Sequence, residues 1–312
     1  MTERTAASLN AGSNLASSAA RVKVAEDLGY DSVWISQLPD ARDSALVLAA
    51  YAQATSRIGL GTFVLPIYTR HPSSMAQMAL SLDELSGGRF RLGIGVSHKR
   101  TVEGMWGMQL QEPVVAMGEY LGIVRSIIAT GSADSQGRYF TAHTFYSGPR
   151  REDLPILISA LNPRMLELCG EHSDGVALWM CAPDYIRDEV VPRVRAGREK
   201  AGKTLDGFEI VAAVPVCLTT DAAAANEIFR TTVARYASLP YYRKMLDRTF
   251  ADMSDNPNDS ILAELGGIGD GDAVRDAVQR YRAAGTTLPL VGPFGGHDGA
   301  ASTAETLRAV IG

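Results

Sequence analysis

Short runs of apolar residues alternate along the chain with longer segments in which apolar residues recur at helical spacing. The apolar runs are continuous, which is typical of parallel strands that are buried on both faces. The longer segments have the period of amphipathic helices. The predicted strands are residues 6–10, 31–36, 57–65, 89–95, 155–159, 175–180, 208–218 and 286–292. Helices are predicted up to residue 28 and over residues 41–54, 72–85, 116–129, 164–171, 185–201, 222–246, 272–284 and 304–310.

Eight strands, each followed by helical sequence, favour a closed (β/α)8 TIM barrel over an open doubly wound sheet. Two stretches interrupt the alternation. A polar segment at 132–147 predicts an insertion after the fourth strand, interpreted as a hairpin. Residues 239–271 form a second insertion, before the eighth strand, and the sequence leaves open whether it is an ordered lid or a mobile loop. No linker-like segment divides the chain, so residues 1–312 are predicted to form a single domain.

Composition and charge narrow the class of protein. The 312 residues carry 30 Lys+Arg and 35 Asp+Glu, a formal charge of -5 without a long basic run, which disfavours nucleic acid as a partner. No apolar run reaches the ~20 residues of a membrane span, and the start MTERTAASLN has no apolar core of a signal peptide. Cys169, Cys181 and Cys217 are few and widely spaced, so we expect no disulfide framework and a cytoplasmic location.

Active sites of such barrels lie at the carboxyl ends of the strands. The residues predicted there include no pair of carboxylates and no cluster of His, Cys and Asp, and His98 stands nearly alone. No metal site is therefore predicted. Where side chains cannot carry the chemistry, an organic cofactor usually does, and the apolar and neutral strand ends suit a flat ring. The sequence Gly93-Ile94-Gly95 is only a weak signal for dinucleotide binding.

Two segments, GTFVLPIYTRHP (61–72) and LDELSGGRFRLGIGVSHK (82–99), resemble the bacterial luciferase-like monooxygenase family. The resemblance continues in LGYDSVWIS and in ISALNPRMLELCGEHSDGVALWM (158–180), and it extends from about residue 19 to the C-terminus. It is greatest to the branch that uses the deazaflavin coenzyme F420. The resemblance implies a TIM barrel, and an oxidoreductase that transfers a hydride between the deazaflavin C5 and a small organic substrate. An FMN-dependent monooxygenase, a non-catalytic flavin- or deazaflavin-binding barrel and a metal hydrolase barrel are the alternatives.

The resemblance also implies where the cofactor ring would lie. A non-prolyl cis peptide is expected near Phe63-Val64, behind the ring, although both residues can equally be barrel core. The segment Gly95, Val96, Ser97 and His98 is expected beside the reactive part of the ring. Some relatives carry a glutamate there as proton donor, and His98 would take that catalytic role, or else serve only as a loop histidine. Gln37 and Leu38 stand where relatives often have a polar pair, and this difference removes an acid/base group there. Gln37 is still expected to hydrogen-bond the ring edge or the substrate.

The cofactor phosphate is expected at the start of a helix, because free N–H groups there bind anions. The residues that the resemblance assigns to it are Ser159, Ala160, Leu161, Asn162 and Arg164, together with Gly175, Leu178 and Trp179 at the sixth strand. An ordinary N-cap would also explain Asn162. Arg70 and His71 are further candidates for the cofactor tail, and relatives suggest a homodimer.

Overall fold

The computed structural model describes residues 3–12 and 14–312 of the chain. In this part of the chain, eight parallel strands close into a barrel, a short strand pairs with each of two of them, and two further strands form an antiparallel hairpin. The strands are β1 (Ala6–Ser8), β2 (Ser32–Ile35), β3 (Gly59–Thr62), β4 (Leu65–Pro66), β5 (Phe90–Gly95), β6 (Ser132–Gln136), β7 (Thr141–Phe145), β8 (Ile156–Ser159), β9 (Gly175–Leu178), β10 (Glu209–Leu218), β11 (Gly267–Gly269) and β12 (Leu288–Pro293).

The order around the barrel is β1-β2-β3-β5-β8-β9-β10-β12, and the pairing of β12 with β1 closes it. The predicted TIM barrel is therefore confirmed. Helices surround it: α1 (Leu15–Asp27), α2 (Ser44–Ala54), α3 (Pro72–Ser86), α4 (Lys99–Val102), α5 (Pro113–Thr130), α6 (Pro163–His172), α7 (Pro183–Tyr185), α8 (Val191–Lys200), α9 (Ala222–Ala237), α10 (Pro240–Thr249), α11 (Asp259–Leu265), α12 (Gly271–Ala283) and α13 (Thr303–Ile311). A π-helical turn, Ile186–Val190, joins α7 to α8.

Two hydrophobic cores hold this architecture together. The larger one lies between the strands and the surrounding helices, and a smaller one fills the barrel itself. Trp34 is fully buried in the inner core, and its Nε1 donates a hydrogen bond to Ser32 Oγ at 2.9 Å. Gly61 leaves room for the indole, since a Cβ at that position would lie 2.3 Å from the Trp34 ring.

Charged side chains close the amino-terminal end of the barrel. Arg4 contacts Asp31 at 2.7 Å and Glu209 at 2.6 Å, while Arg91 contacts the same Asp31 at 2.9 Å. The four residues belong to or flank four barrel strands, β1, β2, β5 and β10, so the network ties distant parts of the chain together. Charged residues at this end of a TIM barrel generally serve stability, because the chemistry lies at the other end.

The strand predicted over 57–65 is divided in the structure. It runs as β3, is interrupted at Phe63 and Val64, and resumes as the short β4. The bond between Phe63 and Val64 is cis, as predicted. Thr62 bridges the irregular region, because its hydroxyl accepts from Gly93 N at 2.7 Å and donates to Gly93 O at 2.8 Å.

Some helix boundaries differ from the prediction. The helix predicted over 222–246 is two helices, because Pro240 cannot continue the hydrogen bonding of α9 and instead begins α10. Helix α4 was not predicted. The insertion at 239–271 contains α10, α11 and β11, and the insertion at 132–147 is the predicted hairpin, formed by β6 and β7.

Within the described residues, α5 has the length and apolar composition of a membrane-spanning helix. In this fold its apolar side packs against α3 and α6 and contributes residues such as Tyr120 and Val124 to the outer core. Its composition is therefore accounted for by burial within the protein.

Candidate active site

Three of the predicted site residues, Val64, Gly95 and Ser159, meet at the carboxyl end of the barrel. A Cβ on Gly95 would lie 2.3 Å from Ser159 Oγ and 2.7 Å from Val64 Cγ2. The absence of a side chain at Gly95 thus leaves room for Val64, which lies between β3 and β4, and for Ser159 at the end of β8. This forms a narrow surface directly above the inner core, to which Phe63 belongs and against which Val64 packs.

His98 lies immediately after β5, at the same end of the barrel. It is half-buried, and its Nδ1 is buried without a hydrogen-bond partner in the structure. Burial lowers the pKa of His98 below its ordinary value of 6.5, so the ring is neutral at pH 7. The preceding residue, Ser97, has a φ of 59°, a left-handed conformation that is uncommon for residues other than glycine and is frequent at functional sites.

A row of aromatic rings extends from His98 across the barrel mouth to the end of β9. The ring centroids of His98 and Tyr242 are 5.5 Å apart, those of Tyr242 and Tyr236 are 5.0 Å apart, and those of Tyr236 and Trp179 are 5.6 Å apart. Trp179 Nε1 and Tyr68 Oη are, like His98 Nδ1, buried without a partner. These polar atoms are available to a bound molecule, since buried donors and acceptors are normally paired.

Tyr236, Tyr242 and Tyr68 were not among the predicted site residues. The first two lie on α9 and α10, far along the chain from His98, and no local motif marks them. Only the packing of α10 over the barrel mouth brings Tyr242 to His98. The sequence did offer a weaker signal for Tyr68, because it lies within the segment 61–72 that carries the resemblance.

The helix start expected to hold a phosphate is available for that role. Asn162 occupies the N-cap position of α6, but its side chain makes no capping hydrogen bond. The interpretation of Asn162 as an ordinary N-cap is therefore not what the structure has. Arg164 is exposed in the first turn of the helix. Ala160 is buried, and Leu161 O accepts a hydrogen bond from Tyr185 Oη at 2.6 Å, which fixes the loop.

The structure does not bring Gly175 and Leu178 to this region. Gly175 begins β9 at the amino-terminal end of the barrel, where a Cβ would lie 2.6 Å from Glu209 O. Leu178 ends the strand, but its side chain belongs to the outer core, because side chains alternate along a strand and Ala177 faces the inner core. Trp179 is the member of this predicted group that reaches the row of rings.

Gln37 lies on a cleft that also includes Pro66, the partner of Gly95 in the β4–β5 ladder. The cleft has a volume of about 380 Å³, and its lining consists of Gln37, Leu38, Pro39, Asp43, Pro66, Thr69, Arg70 and Trp106. The amide oxygen of Gln37 accepts from Ser44 N at 2.9 Å and from Ser44 Oγ at 3.1 Å. Its amide nitrogen donates to Leu38 O at 3.2 Å. The side chain thus holds the start of α2, with one amide N–H left for a ligand.

His71, a candidate for the cofactor tail, has a structural position instead. Its Nδ1 caps the start of α3 by accepting from Ser73 N at 3.3 Å, and its Nε2 lies 3.0 Å from Thr141 O of the hairpin. Arg70 pairs with Asp43 on the wall of the cleft. Among the described residues, no group of three or more His, Cys, Asp or Glu side chains is placed to hold a metal ion.

Comparison with known proteins identifies the class of this barrel. The model of the luciferase-like monooxygenase family matches residues 1–288. The chain belongs to this family and is an enzyme, which agrees with the resemblance seen in the sequence.

Individual relatives add detail. The chain is 32% identical to 5,10-methylenetetrahydromethanopterin reductase from Methanolobus tindarius over 68% of its own length, and that match spans 64% of the relative. It is 29% identical to a protein from Mycobacterium tuberculosis named as a coenzyme F420-dependent oxidoreductase, over 86% of this chain and 88% of that one. The coenzyme F420-dependent tetrahydromethanopterin reductase from Methanopyrus kandleri has the same fold, with a TM-score of 0.81 and 23% identity over 100% of this chain and 98% of that one.

Proposed function

We propose that the protein is a coenzyme F420-dependent oxidoreductase that transfers a hydride between the deazaflavin and a small organic substrate. The observation that carries the proposal is the placement of three unpartnered buried polar atoms, His98 Nδ1, Trp179 Nε1 and Tyr68 Oη, at one end of the barrel. Leaving such atoms unpaired costs about 1–3 kcal/mol each, so a ligand that pairs them gains affinity. The names of the relatives supply the identity of that ligand.

The residues around the barrel mouth fit a flat ring with a phosphate-bearing tail. Val64, Gly95 and Ser159 would support the ring, because Gly95 presents no side chain there. The open start of α6, with Asn162 and Arg164, would hold the phosphate. When bound, coenzyme F420 supplies a carbon that accepts or donates hydride. The aromatic row from His98 to Trp179 would exclude water from that carbon.

His98 would move the proton that accompanies the hydride. Because burial lowers the pKa of His98, the ring is neutral at pH 7 and can accept a proton from a substrate hydroxyl. In the reverse direction the protonated ring of His98 would return the proton to the substrate. Gln37 would orient the substrate through its remaining amide N–H. Removing a group that performs general acid–base catalysis lowers the rate by about 10²- to 10⁴-fold.

The first test is a titration of the purified protein with oxidised coenzyme F420 and, separately, with FMN, followed by cofactor fluorescence or calorimetry. Micromolar or tighter binding of F420 without binding of FMN is the expected result. The opposite preference would assign the protein to the oxygen-using, FMN-dependent monooxygenases of the family. Binding of neither would contradict the proposal.

The second test separates binding from chemistry. We expect His98→Gln to bind F420 with an affinity within a few-fold of the parent, because the amide of Gln can still pair with the ligand, and to lose turnover with any substrate that the parent accepts, because the amide cannot take up a proton. Trp179→Phe keeps a ring in the aromatic row but removes its N–H, so its main effect should be a weaker F420 affinity. If both variants bound and turned over normally, neither residue would have the proposed role.

We further propose a homodimer and a cytoplasmic location. Leu46 on α2 is 67% exposed and Leu85 on α3 is 42% exposed, which suits burial by a second copy. The proposed cytoplasmic location is supported by the three cysteines, which are all free and buried, as is usual in a reducing compartment. Sedimentation equilibrium tests the dimer, and a Leu46→Glu variant should shift the protein to monomer.

A further inference from the structure

The cleft lined by Gln37 and Arg70 has a chemistry that the proposed cofactor site does not explain. One wall carries a single ion pair, Arg70 with Asp43. The other residues of the lining include apolar surface from Leu38, Pro39 and Pro66, and the indole of Trp106. A volume of about 380 Å³ lies within the range of small-molecule sites, which is roughly 300–1,000 Å³.

Arg70 is held in place before any ligand arrives. Asp43 is the N-cap of α2, where its Oδ1 accepts from Ala45 N at 2.9 Å and from Leu46 N at 3.4 Å. Its Oδ2 accepts from Arg70 Nη2. The backbone of Arg70 is fixed as well, because its carbonyl accepts from Tyr120 Oη at 2.9 Å. Helix α2 therefore orients Asp43, and Asp43 orients the guanidinium.

Most of the hydrogen-bonding capacity of Arg70 is unused. A guanidinium has five N–H donors in a planar fork, and in the described part of the chain only Nη2 has an acceptor on another side chain. The Arg70 side chain is 26% exposed and lines the cleft, so its remaining donors are accessible to a ligand. Such a fork matches the two oxygens of a carboxylate.

We propose that this cleft binds a small carboxylate with an aromatic or apolar body. The carboxylate pairs with the free edge of Arg70, and the body packs between Trp106 and the wall formed by Leu38, Pro39 and Pro66. The ordered guanidinium reduces the entropy lost on binding. The site deepens the proposed function, since Gln37, which would orient the substrate, lines the same cleft, but its selectivity for a carboxylate rests on Arg70 and the cleft alone.

The position of the cleft allows two sources for the carboxylate. Pro66 is paired with Gly95 in the β4–β5 ladder, so the cleft adjoins the proposed ring site. The carboxylate can therefore belong to a separate substrate, or to a carboxylate-bearing tail of the cofactor. The two sources share the same recognition by Arg70 and differ in whether the bound cofactor excludes a second acid.

The test uses benzoate as the probe and protein labelled with 5-fluorotryptophan. The chain has three tryptophans, Trp34, Trp106 and Trp179. Trp106 lines the cleft, whereas Trp34 is fully buried in the inner core and serves as an internal reference. We expect benzoate to shift the ¹⁹F resonance of Trp106, assigned with Trp106→Phe, and to leave that of Trp34 unchanged. Benzyl alcohol, which has the same ring but no charge, should bind at least tenfold more weakly.

Three variants should raise, lower and leave unchanged the Kd for benzoate. Arg70→Gln should raise the benzoate Kd about tenfold or more, since a charge-assisted fork is lost. Asp43→Asn keeps the N-cap and removes the negative charge beside Arg70; the lost repulsion toward a bound carboxylate outweighs the lost ordering of the guanidinium, so it should lower the Kd several-fold. Arg100→Gln removes an exposed charge on α4, at the same end of the barrel, and should leave the Kd unchanged.

The outcomes distinguish the two sources of the carboxylate and show which results contradict the proposal. If saturating F420 displaces benzoate, the cofactor tail occupies the cleft; if benzoate stays bound, the cleft is for a separate acid. No shift of Trp106, equal binding of benzyl alcohol, or an unchanged Kd in both Arg70→Gln and Asp43→Asn would overturn the proposal. The benzoate titrations of the parent and the variants use cofactor-free protein, so failure of this proposal is distinguishable from failure of F420 to bind.

Discussion

The imidazole of His98 lies against the phenol ring of Tyr242, with the two ring centroids 5.5 Å apart and the ring planes inclined by 47°. This contact joins the loop after β5 to α10, which belong to different halves of the chain. Tyr242 is 7% exposed, so its ring removes water from one side of His98. Tyr242 therefore contributes to the burial that lowers the pKa of His98.

Replacing Tyr242 should change the pKa of His98 in a defined direction. Burial holds the pKa of His98 below its ordinary value of 6.5, and Tyr242→Ala readmits water. We expect the pKa to rise toward 6.5, measured by NMR titration of the imidazole C–H resonances and assigned with His98→Gln. Phe145→Ala is the control, since Phe145 is 79% exposed on the hairpin. An unchanged or lower pKa in Tyr242→Ala would contradict this origin of the shift.

Glu26 should contribute stability that disappears in acid. Burial opposes its ionisation, but its Oε1 accepts from Arg57 N, Ser56 N and Ile58 N, and Lys23 contacts its Oε2 at 3.0 Å. These contacts outweigh burial and lower its pKa from 4.5 to about 2. Because the pKa is lowered on folding, the contribution is present above pH 4.5 and is lost as the pH falls toward 2.

The variant Glu26→Gln tests this account. At pH 7 it should lower the free energy of unfolding by about 1–3 kcal/mol, because the charge-assisted hydrogen bonds weaken. Between pH 4.5 and pH 2 its stability should fall less steeply than that of the parent, as measured by urea unfolding at several pH values. Glu84→Gln, at an exposed position of α3, should follow the parent at every pH.

Replacing only one member of the ion pair between Asp83 and Arg151 should destabilise the protein more than replacing both. Arg151 contacts the carboxylate through two bonds of 2.9 Å and 2.8 Å, and the Asp83 side chain is only 6% exposed. Arg151→Leu leaves a buried charge without its partner, so we expect a loss of about 3–5 kcal/mol. Thermal and urea unfolding of Arg151→Leu, Asp83→Leu and the double variant measure the coupling. A double variant no more stable than Arg151→Leu would show that the unpaired charge is not the cause, and Arg195→Ala serves as the exposed control.

Two glycines should respond to alanine in opposite ways. A Cβ at Gly93 would lie 1.9 Å from Thr62 O, and backbone at that distance cannot move aside without breaking the barrel ladder. Gly122 is exposed within α5 and has nothing within 4 Å of such a Cβ. We expect Gly93→Ala to lose several kcal/mol or fail to fold, and Gly122→Ala to gain about 0.5–1 kcal/mol in helix stability. A stabilised Gly93→Ala in differential scanning calorimetry would refute the steric argument.

The barrel was predictable from the sequence because buried parallel strands are written as continuous apolar runs. The segment 208–218 illustrates this, since the structure has a strand at Glu209–Leu218. The irregularities were harder to predict from the pattern. The apolar run over 57–65 continues through Phe63 and Val64, where the ladder stops, because Phe63 stays buried and Val64 packs against the inner core although the backbone leaves the sheet.

The candidate site was predictable only where it is local in the chain. His98, Gly95 and Val64 lie within the segments that resemble the family. Tyr242 and Tyr236 depend on how α9 and α10 fold back over the barrel, which no local pattern encodes. Gly175 was included among the predicted site residues because it belongs to the sixth strand, but it begins that strand and therefore lies at the opposite end of the barrel from His98.

Inside the barrel, the indole of Trp34 occupies the volume that a side chain at position 61 would need. Neither position can change in size independently of the other. Among related sequences, a smaller residue at position 34 should be accompanied by a larger one at position 61, while a Trp at position 34 should restrict position 61 to glycine. The interior of the barrel is thus inherited as a matched pair, and recombination between relatives that separates β2 from β3 should produce inactive, poorly folded chimeras.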